Sequence, residues 1–294
     1  MGTGILKEEF MYNLSDINTI KSILSKNGFS FSKALGQNFI IDDSVCPRMA
    51  DAAVPNNGYG VVEVGPGIGV LTAELAKRAK RVVAIELDDR LPPILADTLS
   101  DFDNVKIVSG DVMKIDLHTL IEEEFQGMPV VICANLPYYI TSPVIMKLLE
   151  DDLPVQSIIV MVQKEAADRL CADVGTRDAG AVTVAVNYYA SADKLFFVGK
   201  ECFMPSPKVD SEVISLTLRD ERPGKIDDEA KFFNMIKTAF TKRRKTIMNS
   251  LCFGPVTKDT LSAVLDNLDI SRTARIEELN MDQLISIYKN LFSN

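Results

Sequence analysis

The stretch Gly60-Val61-Val62-Glu63-Val64-Gly65-Pro66-Gly67-Ile68-Gly69-Val70-Leu71-Thr72-Ala73-Glu74-Leu75-Ala76 decides the fold. Its start is a short β-branched run, which favours a buried strand. Its end spaces apolar side chains at helical intervals. Glycines lie between them, where the backbone must turn sharply and a ligand can approach it closely. Strand, glycine turn and helix form the nucleotide-cradling unit of an open parallel sheet. The spacing is G-x-G-x-G, and Val70 stands where the dinucleotide pattern G-x-G-x-x-G has its last glycine. Glu63 precedes the first glycine, where a carboxylate suits a cationic amino-acid end better than a pyrophosphate. The pattern points away from NAD and towards S-adenosylmethionine.

Later strand-like runs fall in register with this unit. Arg81-Val82-Val83-Ala84-Ile85 ends in Glu86, about 20 residues beyond the first glycine, where an acid binds ribose hydroxyls. Val105-Lys106-Ile107-Val108 leads to Gly110-Asp111, whose carboxylate can accept from an adenine amino group. Residues 130–134 deliver Asn135, and residues 157–162 form a fifth strand. Any one of these acids alone suits a helix cap or a solvated loop end. Successive strand ends carrying Gly65, Glu86, Asp111 and Asn135 instead predict a cofactor site, because open α/β sheets bind ligands outside the carboxyl ends of their strands.

The fourth strand ends in Asn135-Leu136-Pro137-Tyr138. An amino nitrogen conjugated to a purine ring is a poor nucleophile, because its lone pair is delocalised. The Asn oxygen and the carbonyl before Pro137 can both accept hydrogen bonds from such an NH2. Proline removes a donor and fixes φ, so the turn presents carbonyls. Tyr138 offers a flat face for a base. The chemistry suggested is methylation of an exocyclic amino group.

Composition narrows the class. The chain has 294 residues, 47% of them hydrophobic, enough for one large or two medium domains. It has no apolar run of about 20 residues, the length of a membrane span, and no secretory-type leader is expected. The five cysteines lack a Cys-x-x-Cys pair, which fits a reducing cytosol and argues against a zinc cluster. With His118 as the single histidine, serine triads and histidine-based metal sites are not expected. Net charge is −9, unevenly distributed: residues 200–294 hold 15 basic and 14 acidic side chains, residues 1–199 hold 17 and 27. The dense basic cluster is Lys242-Arg243-Arg244-Lys245, with Lys237 nearby, inside a helical pattern of Phe233, Ile236, Phe240, Ile247 and Leu251. It is either a solvated helix face or a phosphate-binding patch.

Residues 1–35 read as a polar lead and an amphipathic helix over 17–26. Gly36-Gln37-Asn38-Phe39-Ile40-Ile41 reads as a loop before the first core helix. Residues 181–189 and 194–198 read as late strands, and 213–218 as a final strand. Phe203-Met204-Pro205-Ser206-Pro207 is a stiffened segment. Phe203 there is either a core residue or, with Tyr138, one side of a base sandwich. Arg219-Asp220-Glu221-Arg222-Pro223-Gly224 reads as a linker. The expected organisation is a Rossmann-like α/β methyltransferase domain over 1–221 and a smaller all-α domain over 222–294.

Gly36-Gln37-Asn38-Phe39, the Glu63–Thr72 stretch, Asn135-Leu136-Pro137-Tyr138, Gln163-Lys164-Glu165, Phe203-x-Pro-x-Pro-Lys-Val-Asp-Ser211 and Arg243-Arg244-Lys245-Thr246 occur in this order. In this combination the chain resembles the KsgA/RsmA family of ribosomal RNA adenine dimethyltransferases, from about Ser22 onwards. The resemblance implies S-adenosylmethionine-dependent dimethylation of N6 on two adjacent adenines near the 3′ end of small-subunit rRNA. It implies a partly assembled 30S subunit as partner, a cytoplasmic location, and neither membrane nor metal. By position it implies cofactor contacts at Asn38, Ile40, Gly65, Gly67, Glu86, Asp111 and Asn135. Catalysis falls to Asn135, Pro137, Tyr138 and Phe203, and RNA binding to Lys242, Arg243, Arg244 and Lys245. Tyr139 departs from the Asn that many members carry. The rivals are an Erm-type large-subunit rRNA methyltransferase, a DNA adenine methyltransferase, and a non-catalytic assembly factor that keeps the pocket.

Overall fold

A computed structural model describes residues 12–30 and 36–292. The expected N-terminal lead at 1–11, and residues 31–35, lie outside the described residues. In chain order the elements are α1 (Ile17–Lys26), β1 (Phe39–Ile40), α2 (Val45–Ala53), β2 (Gly60–Val64), α3 (Val70–Ala76), β3 (Arg81–Glu86), α4 (Pro92–Thr98), β4 (Val105–Ser109), α5 (Leu117–Phe125), β5 (Val130–Asn135) and α6 (Thr141–Glu150). They continue with β6 (Ser157–Gln163), α7 (Lys164–Leu170), α8 (Ala181–Tyr189), β7 (Ala190–Val198), β8 (Phe203–Met204), β9 (Ser211–Leu218), α9 (Glu229–Thr241), α10 (Ile247–Ser250), α11 (Lys258–Asn267) and α12 (Met281–Phe292).

Contact density groups these elements into two compact units. Among the described residues the first holds 12–30, 36–141, 154–161 and 197–211; the second holds 142–153, 162–196 and 212–292. This grouping is discontinuous in sequence, unlike a single cut at residue 221.

In the first unit five strands pair in parallel in the order β4-β3-β2-β5-β6. This is the expected α/β core. The chain leaves β2 in one direction towards β3 and β4, then returns to the other side of β2 as β5 and β6. The crevice of such a sheet opens where that direction reverses. Val64 pairs with Ala134, so the glycine loop and Asn135 leave the sheet side by side. Glu86 pairs with Ser109, which brings Asp111 beside Glu86. The inner strands β2, β5 and β6 are buried on both faces, as β-branched runs in a covered parallel sheet must be. Gly60 is required by packing: a Cβ there would lie 2.1 Å from the Phe125 ring.

The loop expected at Phe39 is instead strand β1. Phe39 pairs with Met204 and Ile40 with Phe203, antiparallel. The donation from Ile41 N to the Cys202 carbonyl at 2.8 Å extends the ribbon. A two-residue strand has no periodicity to read, and its partner is far away in sequence.

The second unit corrects two expectations. Residues 181–189 form helix α8, not a strand. Gly180 N donates to Thr183 Oγ1 at 2.9 Å, and that hydroxyl donates to the Arg169 carbonyl. The helix is buried on most of its surface, which removes the polar stripe that marks a helix in sequence. The basic cluster also does not continue a helix. α9 ends at Thr241, and residues 242–245 turn before α10. Tyr188, Tyr189, Phe232, Phe233 and Tyr288 pack as one aromatic cluster with centroids 5.0 to 6.1 Å apart. Glu229 accepts from both Tyr188 and Tyr189 and from Arg222, tying the linker to α8 and α9. Apart from an isolated bridge between Thr246 and Arg275, the described residues after 222 are helices and turns.

Candidate active site

Gly65, Gly67 and Gly69 all have positive φ, at 73°, 61° and 96°. Gly67 is needed twice over, because a Cβ there would also sit 3.2 Å from the Phe39 ring. Its N–H donates to Glu86 Oε2 at 3.3 Å. Glu86 Oε1 accepts from Asp88 N at 2.7 Å, and burial raises the Glu86 carboxyl above its ordinary value. Glu63 is 1% exposed. Among the described residues its Oε2 has no hydrogen-bond partner, and neither has Thr72 Oγ1 on α3. Burial pushes the Glu63 carboxyl up to about 8; the nearby Thr72 hydroxyl opposes the rise and the Glu86 carboxylate adds to it.

Asp111 spends one oxygen on its own turn: Oδ1 accepts from Met113 N at 3.0 Å, and Lys114 lies 3.6 Å from Oδ2. Asn38 Nδ2 donates to the Gly36 carbonyl at 3.0 Å. Gln37 Nε2 donates to Asp88 Oδ2 at 2.8 Å. Asp88 also holds Arg90 through both oxygens, and that guanidinium lowers its carboxyl to about 2. Gln37, Asp88 and Arg90 therefore pin the Asn38 loop to the end of β3. Their roles were not read from the sequence; the Asp88-Asp89-Arg90 run two residues after Glu86 was the available signal.

On β5, the Asn135 amide makes no hydrogen bond among the described residues, so its oxygen is available. The Pro137 carbonyl is not: it accepts from Ile140 N at 3.1 Å and from Thr141 Oγ1 at 3.3 Å. Both lone pairs hold the turn, and Leu136 supplies the carbonyl before proline. Tyr138 is half-buried, and its hydroxyl lies 2.7 Å from Ser211 Oγ, a buried group. Burial raises its phenol above the ordinary value. Phe203 is buried beside Ile40 in the ribbon.

Asn38, Ile40, Gly65, Gly67, Glu86, Asp111, Asn135, Pro137, Tyr138 and Phe203 all line one cleft. Leu87, Val112 and Tyr139 line it too, without having been singled out as contacts. Lys242, Arg243, Arg244 and Lys245 belong to the other unit. Within it Arg243 is already engaged: Nε donates to Glu277 Oε2 at 2.6 Å and a terminal nitrogen donates to the Arg177 carbonyl at 2.7 Å. Lys242, Arg244 and Lys245 are exposed. Gln163-Lys164-Glu165 starts α7, where Lys164 pairs with Asp168 and Glu165 with Arg169. Among the described residues no cluster of His, Cys, Asp or Glu could hold a metal ion. No described helix is long and apolar enough to cross a membrane.

The cleft fits S-adenosylmethionine. An unpartnered buried carboxylate oxygen suits its ammonium, and the bare backbone at Gly65 borders open space that a Cβ would enter. A model of the ribosomal RNA adenine dimethylase family matches residues 28–292. The ribosomal RNA small subunit methyltransferase A of Geobacillus sp. (strain WCH70) is 47% identical over 272 residues, covering 91% of this chain and 94% of that protein. A dimethyladenosine transferase from Plasmodium falciparum matches with TM-score 0.67 and 25% identity, covering 82% of this chain and 93% of that one. The 23S rRNA methyltransferase ErmE matches with TM-score 0.66 and 26% identity, covering 86% and 99%. S-adenosylmethionine is thus the methyl donor, and the chain belongs to the ribosomal RNA adenine dimethylase family.

Proposed function

We propose that the chain dimethylates N6 of two adjacent adenines in the 3′-terminal hairpin of small-subunit rRNA, acting in the cytoplasm on a partly assembled 30S subunit and without a metal ion. The carrying observation is that the Glu63–Gly69 loop and the Asn135–Tyr138 turn leave adjacent strands and line one cleft. Identity of 47% to a small-subunit enzyme, against 26% to a 23S rRNA enzyme, supports the small subunit over the large one.

S-adenosylmethionine, when bound, supplies a methyl carbon attached to a cationic sulfur leaving group. That carbon needs no further activation, so the chain's own residues act by position. When S-adenosylmethionine is bound, Glu63 would take its ammonium, Glu86 its ribose hydroxyls and Asp111 its adenine amino group, with Asn38, Ile40, Gly65 and Gly67 shaping the walls. Asn135 Oδ1 and the Leu136 carbonyl accept the N6 hydrogens and favour a more tetrahedral nitrogen. Pro137 keeps the turn rigid. The extruded adenine stacks on Tyr138, with Phe203 at its other side. Residues 1–221 serve as the methyltransferase domain and 222–294 as the RNA-contacting domain, with Lys242, Arg243, Arg244 and Lys245 as its basic turn. Of these, Arg243 acts by holding the turn through Glu277. A binding role in subunit biogenesis accompanies the transfer.

Labelled methyl transfer to small subunits, large subunits and plasmid DNA, each from a source lacking the modification, tests this. Label is expected on small-subunit rRNA as N6,N6-dimethyladenine. Label confined to large subunits or DNA moves the assignment to the rival enzymes. Cofactor binding without label on any substrate favours a binding factor.

A further inference from the structure

Tyr139 is 55% exposed, more than any other large apolar or aromatic side chain among the described residues. A single exposed tyrosine needs no explanation by itself. Its setting does. The ring lines the cleft together with Tyr138. It is also held in place: a Cβ at Gly36 would lie 3.3 Å from Tyr139 Cδ1 and 3.6 Å from Pro137 Cβ, so the ring edge packs over bare backbone. Gly36 has φ +59°, a conformation that favours glycine. The turn beneath is fixed by the Pro137 ring and by the two bonds to its carbonyl. The Tyr139 hydroxyl makes no hydrogen bond among the described residues, in contrast to Tyr138, which is anchored on Ser211. The cleft thus carries two consecutive tyrosines. One is half-buried and oriented by its hydroxyl, the other is exposed and held by its ring edge.

Single-stranded nucleic acid is gripped by aromatic rings on which successive bases stack. When one base occupies the face of Tyr138, the next nucleotide has to pass the adjacent side chain on the rim. We infer that Tyr139 is a stacking platform for the nucleotide flanking the target adenine, so that the turn holds two consecutive bases. It is a positioning residue: it orders the strand and touches neither the methyl donor nor the reacting nitrogen. The inference rests on the rRNA reading above.

Unmodified small subunits are the substrate for the test, with wild type, Tyr139→Ala and Tyr139→Phe compared. Tyr139→Ala is expected to raise the KM for subunits by about 5- to 150-fold, the range of one lost base–aromatic stack. Its kcat at saturating subunits and its calorimetric Kd for S-adenosylmethionine are expected to stay at the wild-type value. Tyr139→Phe should restore the wild-type KM, because the stack needs the ring and not the hydroxyl. An unchanged KM in Tyr139→Ala would overturn the inference. So would a parallel loss of cofactor affinity, which would make the ring a wall of the cofactor site. A Tyr139→Phe variant as impaired as Tyr139→Ala would overturn it in favour of a hydroxyl contact. A wild-type enzyme that leaves small subunits unlabelled would instead sink the rRNA reading, and the same variants would then be measured on the substrate it does label.

Discussion

The two walls of the cleft are built from different chemistry. The ends of β2, β3 and β4 form an acidic wall, with Glu63 and Glu86 at 1% and 6% exposure and Asp111 beside them. The turn after β5 forms an uncharged wall of amide, proline and tyrosines, which ends in the exposed ring of Tyr139. A cofactor with a cationic end and hydroxyls is held by buried acceptors that are strong because water is excluded. A neutral base offers faces and an amino group, so it is held by rings and by one or two acceptors. Burial sharpens the first wall, while the second must stay open to a polymer.

The largest test of this division is Asn135→Ala. Methyl transfer is expected to fall by about 10²- to 10³-fold, the cost of one preorganised polar group at a reacting centre. Calorimetric affinity for S-adenosylmethionine should change little; a fall as large as that in the rate would break the division. Tyr138→Ala comes next, with RNA-dependent turnover reduced by about 5- to 150-fold through the lost stack. Tyr138→Phe gives up only the bond to Ser211, a contribution of about 1 kcal/mol. Equal effects of the two variants would show that the ring is not the working part.

The acidic wall alone should respond to pH. With its carboxyl raised from 4.5 to about 8, Glu63 favours the folded empty chain while protonated. That stability is fully present below the unfolded value and is lost as pH rises through 8. Glu63→Gln should therefore melt above the wild type at pH 8 and converge with it near pH 4.5. Cofactor affinity of the wild type should rise by up to about tenfold per pH unit from pH 6 to 8, because facing the ammonium requires the proton to leave. The Gln variant should show no such rise. A flat wild-type profile would remove Glu63 from the wall.

The smallest effects belong to the basic turn. Arg244→Ala and Lys245→Ala should each lower rRNA affinity and reduce its salt slope by about 1, with an unchanged melting temperature. Arg243→Ala should instead lose about 1 kcal/mol of stability, because its guanidinium is committed to Glu277 and to the Arg177 carbonyl.

Legibility in the sequence followed how local each feature is. The glycine loop was readable because positive φ at Gly65, Gly67 and Gly69 restricts those positions to glycine. The parallel core was readable because its strands are β-branched and their ends carry acids in turn. Helix α8 was misread because residues buried on most sides give neither a period of two nor one of 3.6. The pairing of β1 with β8 left no local trace. The cations at 242–245 gave their charge away but not the turn that bears them.

The sequence by itself determined which residue types could meet a cofactor and an amino group: a carboxylate before a glycine turn, and an amide and carbonyls set by a proline. These follow from backbone sterics and from the inventory of donors and acceptors. Only the tertiary structure decided which of those atoms are still free. Among the described residues the Asn135 side-chain amide has no partner, the Pro137 carbonyl is taken by Ile140 and Thr141, Arg243 is taken by Glu277, and Glu63 keeps an unpaired oxygen. Hydrogen-bond partners are assigned by the folded chain as a whole. A buried polar atom left without one is costly enough that its availability depends on everything packed around it.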